Sequence, residues 1–283
     1  MALRHCEGLS KAGTPCRRLA AVGALCCLHH EAAQKASLPL EQCITITFSD
    51  VVENGPGMEQ IGTRLHALGE LFTVAYLTEL HERYAGSELI DLSLTQENVP
   101  ACLLVLRGFC DTPNDIVDEL LALQWDTKAL FRGQVKNKIA RHNLCFSAAS
   151  RDACYERGQG TVVGFDRVPH LSAMRERVRV LLPDPEFVPQ AEGNLYYDTT
   201  KTYIGLHGDT ERTFVIGLRL GSPIPLHFQW FHMKQKIGAC QTVQLHSGDV
   251  YIMSHKAVGS DWKRWKTPTL RHAAGDARLI KGL

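Results

Sequence analysis

The sequence predicts an α+β protein whose C-terminal half is an antiparallel β sandwich or barrel of the jelly-roll type. Three observations lead there. After about Arg157 the chain breaks into short strand-like runs separated by glycine or proline turns, with little helical patterning between them. Residues 36–157 mix strand and helix patterns. Residues 1–35 are rich in Cys and His and hold too few apolar residues for a core, so they need a metal to fold.

In chain order, Cys6, Cys16, Cys26 and His29 offer thiolates and an imidazole in the number that tetrahedral zinc prefers. The doublets Cys26-Cys27 and His29-His30 leave a second frame open, Cys27 with His30; the first is preferred because Gly23-Ala-Leu precedes it. The segment resembles a small zinc motif, Cys-x-Gly-x-Thr-Lys-x-Gly-x-Pro-Cys followed by Cys-x-x-His, with Ser10 replacing the threonine. Its expected role is structural or tethering; Lys11, Arg17 and Arg18 suit either phosphate contact or protein docking. From Cys43 the alternation Ile44, Ile46, Phe48 reads as a strand, and Glu53-Asn-Gly-Pro-Gly57 as a turn. Leu65, Leu68, Leu71, Phe72, Ala75 and Leu80 predict a helix over 58–84. Ala101 to Leu106 reads as a buried strand, and a second helix is expected from a capping Asn114. The later runs are Thr161 to Phe165, Tyr203 to Leu206, Phe214 to Leu220, Leu226 to Phe231 and Val250 to Met253.

The domain division expected is therefore 1–35, a zinc module; 36–157, a mixed supporting region that also serves the substrate; and 158–283, the core. The chain has 283 residues, ten cysteines and a formal net charge of +1, with no apolar run long enough for a membrane span and no signal-type N-terminus. An intracellular, soluble protein with reduced thiols is expected, nucleus or cytoplasm left open. Near-neutral charge excludes coating of nucleic acid by charge alone, although basic residues gather from Lys128 to Arg151.

The chemistry concentrates in Tyr203-Ile-Gly-Leu-His207-Gly-Asp209-Thr-Glu211. Side chains two apart in a strand share a face, so His207 and Asp209 can address one metal. Non-haem iron(II) takes two imidazoles and one carboxylate and keeps its other positions for a co-substrate and O2. The third ligand must come from further along, where His255 and His272 both follow.

Four blocks in order carry a family resemblance: Gly205-Leu-His207-Gly-Asp209-Thr-Glu-Arg212, Pro225-Leu-His-Phe-Gln-Trp-Phe231, Gly248-Asp-Val-Tyr-Ile-Met-Ser254 and Leu270-Arg-His272-Ala-Ala-Gly275. Over roughly residues 160–283 the chain resembles the iron(II)- and 2-oxoglutarate-dependent dioxygenases, the AlkB-like branch above others. The resemblance implies a double-stranded β-helix core. It also implies decarboxylation of 2-oxoglutarate to succinate and CO2 coupled to hydroxylation of a substrate C–H bond. His272 takes the distal-histidine position, on the strand after the turn Ser247-Gly-Asp249, the strand 250–253 and a polar loop. His255 competes, with Arg264 and Arg271 downstream, but leaves no room for a return strand.

The family places a basic residue after the distal histidine for the co-substrate carboxylate. Arg278 and Lys281 are the candidates here, closer to His272 than AlkB spaces its arginines, and Lys281 fits the shorter gap of prolyl-hydroxylase-like members better. Asn194 and Tyr196 resemble the co-substrate Asn-x-Tyr pair. Arg141, His142, Asn143 and Tyr197 are candidate substrate contacts. Arg212 suits either support of the triad carboxylate or a surface ion pair. The substrate expected is a nucleic-acid base, hydroxylated or oxidatively demethylated. A protein side chain of prolyl or lysyl type is the alternative, and a non-catalytic binding protein on the same scaffold is disfavoured by the intact ligand set.

Overall fold

A computed structural model describes residues 41–283, of which Gln42–Leu283 form one compact unit; the zinc-module positions Cys6, Cys16, Cys26 and His29 lie outside the described residues. The unit is α+β and rich in strand. Its elements begin with β1 (Cys43–Ser49), β2 (Val51–Glu53), β3 (Gln60–Gly62), α1 (His66–Glu70), α2 (Val74–Arg83), β4 (Ser87–Asp91), β5 (Cys102–Leu106) and α3 (Pro113–Leu121). Next come β6 (Lys128–Phe131), β7 (Gln134–Asn137), β8 (His142–Ser147), β9 (Val162–Gly164), α4 (Pro169–Arg179), β10 (Gln190–Tyr196) and β11 (Ile204–His207). The last are β12 (Ile216–Gly221), β13 (Ile224–His232), β14 (Gln235–Leu245), β15 (Val250–Met253), α5 (His255–Val258) and β16 (Thr269–Ala274).

Two sheets dominate. One has eight strands in the order β4-β5-β15-β12-β1-β10-β8-β9, the other four in the order β11-β16-β13-β14. Every pairing in them is antiparallel except β8 with β9. Strands from both sides of residue 157 share the larger sheet, so the change of sequence texture there does not divide the unit.

The period of two along a strand decides what each face of the larger sheet does. In β1, Ile44, Ile46 and Phe48 join one core with Leu77 and Leu80 of α2, Ile116 and Leu120 of α3, and Leu171, Met174 and Val178 of α4. Cys43 joins the other core, with Leu103 and Val105 of β5, Leu226, Phe228 and Trp230 of β13, and Tyr251 and Met253 of β15. Helices therefore cover one face and the four-stranded sheet the other. Each fully buried aliphatic or aromatic side chain contributes about 1.5–3 kcal/mol to that arrangement. The alternate residues Thr45 and Thr47 of β1 line a cavity instead.

Several local expectations are corrected. The helix expected over 58–84 is broken into β3, α1 and α2. Gly62 adopts φ +105 where an added Cβ would lie 2.1 Å from the Asp50 carbonyl oxygen, and Asp50 takes the Leu65 N–H at 2.7 Å, so the chain is pinned where a helix would have run. Thr73 then caps α2 by accepting from the Tyr76 N–H. The second helix starts at Pro113 with Thr112 at its N-cap and no side-chain cap bond, so Asn114 is not the cap; proline fixes the first helical φ instead. Helix α4, absent from the expectation, carries its apolar residues at helical spacing between charged ones. Among the described residues no helix is long and apolar enough to cross a membrane.

Candidate metal centre

His207 ends β11 and lies directly across from His272 of β16, with ring centroids 4.4 Å apart. Asp209 follows one glycine later, its N–H held by the Val258 carbonyl at 3.0 Å. The glycine between them is required by close approach, since a Cβ on Gly208 would sit 2.1 Å from the Gly259 carbonyl oxygen. One ligand atom from each of His207, Asp209 and His272 falls within 4.8 Å of the others. Asp209 Oδ1 stands 3.4 Å from His207 Nε2 and 3.7 Å from His272 Nε2. His207 Nδ1 lies 2.8 Å from the Gly205 carbonyl, which can only accept, so Nδ1 carries the proton and Nε2 keeps its lone pair for a metal. The spacing expectation for these three residues is met in space, while His255 heads α5 with its N–H on the Phe72 carbonyl and lies outside the cluster. His227 is occupied by Thr242 and the Gly275 carbonyl.

The electrostatics favour a neutral imidazole beside an ionised carboxylate. Burial pushes the His272 pKa down to about 4, with His207 adding to the shift and Asp209 opposing it. Burial acts to raise that of Asp209, yet Arg212 and the two histidines outweigh it and hold the carboxyl well below its usual range. Arg212 is buried, donating to Glu192 at 2.6 Å and to Glu211 at 2.9 Å and lying 3.5 Å from Asp209 Oδ2. It supports the triad carboxylate and is no surface ion pair. Glu53, on the same wall, is raised to about 7, first by burial and then by Glu211 and Glu192.

The triad opens into a cavity of about 510 Å³ between the two sheets. Alternation brings Glu192, Asn194 and Tyr196 of β10, Arg219 of β12 and Tyr251 of β15 to it. Of the sequence-predicted candidates, Asn194, Tyr196 and Arg141 line the cavity. Asn143 stands behind, its amide donating to Asn194 Oδ1 at 2.8 Å, while His142 and Tyr197 stack on each other at 4.5 Å without lining the cavity. Arg278 and Lys281 are corrected: both are exposed and neither lines the cavity, Arg278 being paired with Asp276 at the surface.

The cation that sequence reasoning missed is Arg219. It is fully buried, donates to Thr45 Oγ1 at 2.6 Å, and leaves Nε and Nη2 without a hydrogen-bond partner. Its signal is faint, one arginine in the apolar run Ile216-Gly-Leu-Arg-Leu220.

No family model matches the chain. It is 38% identical over 255 residues to the uncharacterized protein R156 of Acanthamoeba polyphaga mimivirus, covering 86% of this chain and 99% of the viral protein. The chain belongs to the R156 family. The alignment extends over nearly the whole viral protein and most of this chain, so the likeness is not confined to the residues around the triad.

Proposed function

We propose that the chain is an iron(II)- and 2-oxoglutarate-dependent dioxygenase acting on a nucleic-acid base, on a double-stranded β-helix formed by the two sheets around the triad. The observation that carries this reading is the convergence of His207, Asp209 and His272 on a cavity that also holds a fully buried, incompletely bonded arginine. The donor set fits iron(II): two imidazoles, one of them kept neutral by burial and the other in a fixed tautomer, and one carboxylate held ionised. When bound, iron(II) supplies the activation of O2 that is coupled to oxidative decarboxylation of 2-oxoglutarate.

The protein's own residues do the rest. Arg219 offers Nε and Nη2 to the carboxylate of the co-substrate remote from the metal, the part first assigned to Arg278 or Lys281. Asn194 and Tyr196 flank that site, and Thr45 fixes the guanidinium. Arg212 steadies Asp209 through Oδ2, leaving Oδ1 to the metal. Inner-face apolar side chains from both sheets, Leu226 and Met253 among them, form part of the cavity wall.

The protein-hydroxylase alternative drew on the short spacing from His272 to Lys281, and an exposed Lys281 removes that support. Arg141 at the cavity and the basic β6–β7 hairpin, with Arg132 and Lys136 over Phe131, favour a nucleic-acid substrate. The test is succinate release from 2-oxoglutarate by iron-reconstituted protein under air, with and without oligonucleotides. Loss of turnover in both Asp209→Ala and His272→Ala supports the site, and stimulation by oligonucleotide supports the substrate class. Wild type that binds neither iron(II) nor 2-oxoglutarate refutes the proposal.

A further inference from the structure

A second feature borders the cavity from the side of the smaller sheet. The β13–β14 hairpin turns through Met233 and Lys234 with φ of 51 and 67, a left-handed pair normally given to Asn and Gly. L-residues other than Asn are disfavoured in that conformation, and stored strain of this kind gathers at working surfaces. The tip is tied down: the Met233 N–H donates to the Trp265 carbonyl at 2.8 Å. Met233 is 55% and Trp265 43% exposed, both large apolar groups left in water.

Trp262, Lys263 and Trp265 belong to the loop between α5 and β16, of which Trp262 and Lys263 line the cavity. Trp262 packs on the metal-binding turn, where a Cβ on Gly208 would come within 2.8 Å of its Cδ1. The exposed Trp265 ring has Lys234 at 5.7 Å and Lys266 at 5.5 Å. The carboxylate in this loop, Asp261, is taken by Lys256 at 2.7 Å. Among the described residues no ion pair engages Lys234, Lys263, Arg264 or Lys266. A solvated basic surface accounts for the lysines but not for an exposed tryptophan that lies between two of them and whose carbonyl anchors a strained turn.

We propose that the Met233-Lys234 turn and the loop 262–266 form a docking rim for a single nucleic-acid strand, the cations taking its phosphates and Trp265 a base. The proposal rests on the nucleobase reading of the cavity and adds the surface that presents the strand to it. A single strand suits the rim better than an acidic peptide. Uncompensated cations interleaved with an exposed aromatic face match the alternation of phosphate and stackable base, whereas carboxylates would use the cations alone. An unstacked base is also what the cavity beside the rim, about 510 Å³, can admit.

The test is fluorescence anisotropy of the full-length chain with labelled single-stranded DNA and RNA of about fifteen nucleotides, across about 0.05–0.3 M salt. Three variants of exposed residues are compared: Lys234→Ala/Arg264→Ala/Lys266→Ala together, Trp265→Ala, and Trp265→Phe, each checked for wild-type folding by circular dichroism. At about 0.7 counterions per contact, the triple variant should flatten the slope of log K against log salt by roughly 2 and bind about 100-fold more weakly at 0.1 M salt. Trp265→Ala should lose about 10-fold and Trp265→Phe should keep most of the affinity. Absence of binding by wild type, binding unchanged in the variants, or competition by polyglutamate as effective as by oligonucleotide would each overturn the rim. Succinate release without any strand reads the oxygenase proposal separately. Turnover without strand binding sinks the rim alone, and rim-dependent binding without any use of 2-oxoglutarate sinks the oxygenase alone.

Discussion

Replacing Arg219 by methionine separates a ligand-binding arginine from a structural one, because the two roles predict opposite balances of stability and affinity. In the protein as described, the guanidinium is fully buried, makes a 2.6 Å bond to Thr45 Oγ1 and a 3.3 Å contact with Cys43 Sγ, and leaves Nε and Nη2 unbonded by protein. Two unpartnered buried donors cost about 2–6 kcal/mol together, while the charge-assisted bond to Thr45 returns about 1.5–3 kcal/mol. Methionine removes both contributions and keeps most of the aliphatic volume, so the unfolding free energy should fall by no more than about 1 kcal/mol and can rise by a few kcal/mol. A co-substrate carboxylate, by contrast, would lose two charge-assisted bonds worth about 3–6 kcal/mol together, a rise in Kd of roughly 10²- to 10⁴-fold. Arg219→Lys keeps the charge without the planar fork and should fall between. Isothermal titration of 2-oxoglutarate into anaerobic Mn(II)-loaded protein reads the affinity, and thermal melts of the metal-free protein read the stability. Destabilisation by more than about 3 kcal/mol with an unchanged Kd would make Arg219 a strut and refute the assignment.

Asp209→Ala and His272→Ala should each weaken Mn(II) or Co(II) binding by at least about 100-fold in equilibrium titration, since each removes one of three protein ligands. Gly208→Ala should lower both metal affinity and stability, the latter by about 2–4 kcal/mol in denaturant melts, because its Cβ would meet the Gly259 carbonyl oxygen at 2.1 Å and push the ligand turn off its seat. Glu53, raised from 4.5 to about 7, binds its proton more tightly in the folded chain, so it favours folding below pH 4.5 and loses that contribution as pH rises to 7. The full shift corresponds to about 3 kcal/mol, discounted to about 2 kcal/mol for a half-buried group. Glu53→Gln should therefore flatten the decline of metal-free stability between those pH values, and an identical decline in the variant would show that Glu53 is not its source.

What was legible in the sequence is what local rules encode. His207 and Asp209 share a face because strands repeat every two residues, and His272 follows from the order of turn, strand, loop and strand. Arg278 and Lys281 misled because nearness to His272 along the chain stood in for nearness in space. At Gly275 the backbone takes φ +129 against Tyr203, and three residues later Arg278 lies at the surface. Arg219 was not legible for the converse reason. Its partner Thr45 is 174 residues away, and only the pairing of β1 with β12 makes them neighbours. The helix expected over 58–84 failed for a related reason, since the leucine spacing is real but Asp50, outside that segment between β1 and β2, captures the Leu65 N–H.

The arrangement around Arg212 suggests why so many carboxylates are tolerated beside the triad. Asp209, Glu192 and Glu211 all lie within reach of one guanidinium, and Glu53 adds a fourth acidic group to the same wall. One arginine cannot balance four negative charges away from bulk water, and two physical escapes remain: a bound dication at Asp209, or a proton on the carboxyl held least tightly. Glu53 is placed to take up a proton as pH falls toward 7, because burial, Glu211 and Glu192 raise it, it has no direct ion pair, and its one side-chain hydrogen bond is a long one, 3.4 Å from Gln60. Asp209 cannot take it, since Oδ2 faces Arg212 and Oδ1 faces both histidines, an orientation that presents a single ionised oxygen to the metal and leaves the other occupied. The excess of acid thus keeps Arg212 charged and in place, and Arg212 in turn sets which oxygen of Asp209 is free to bind.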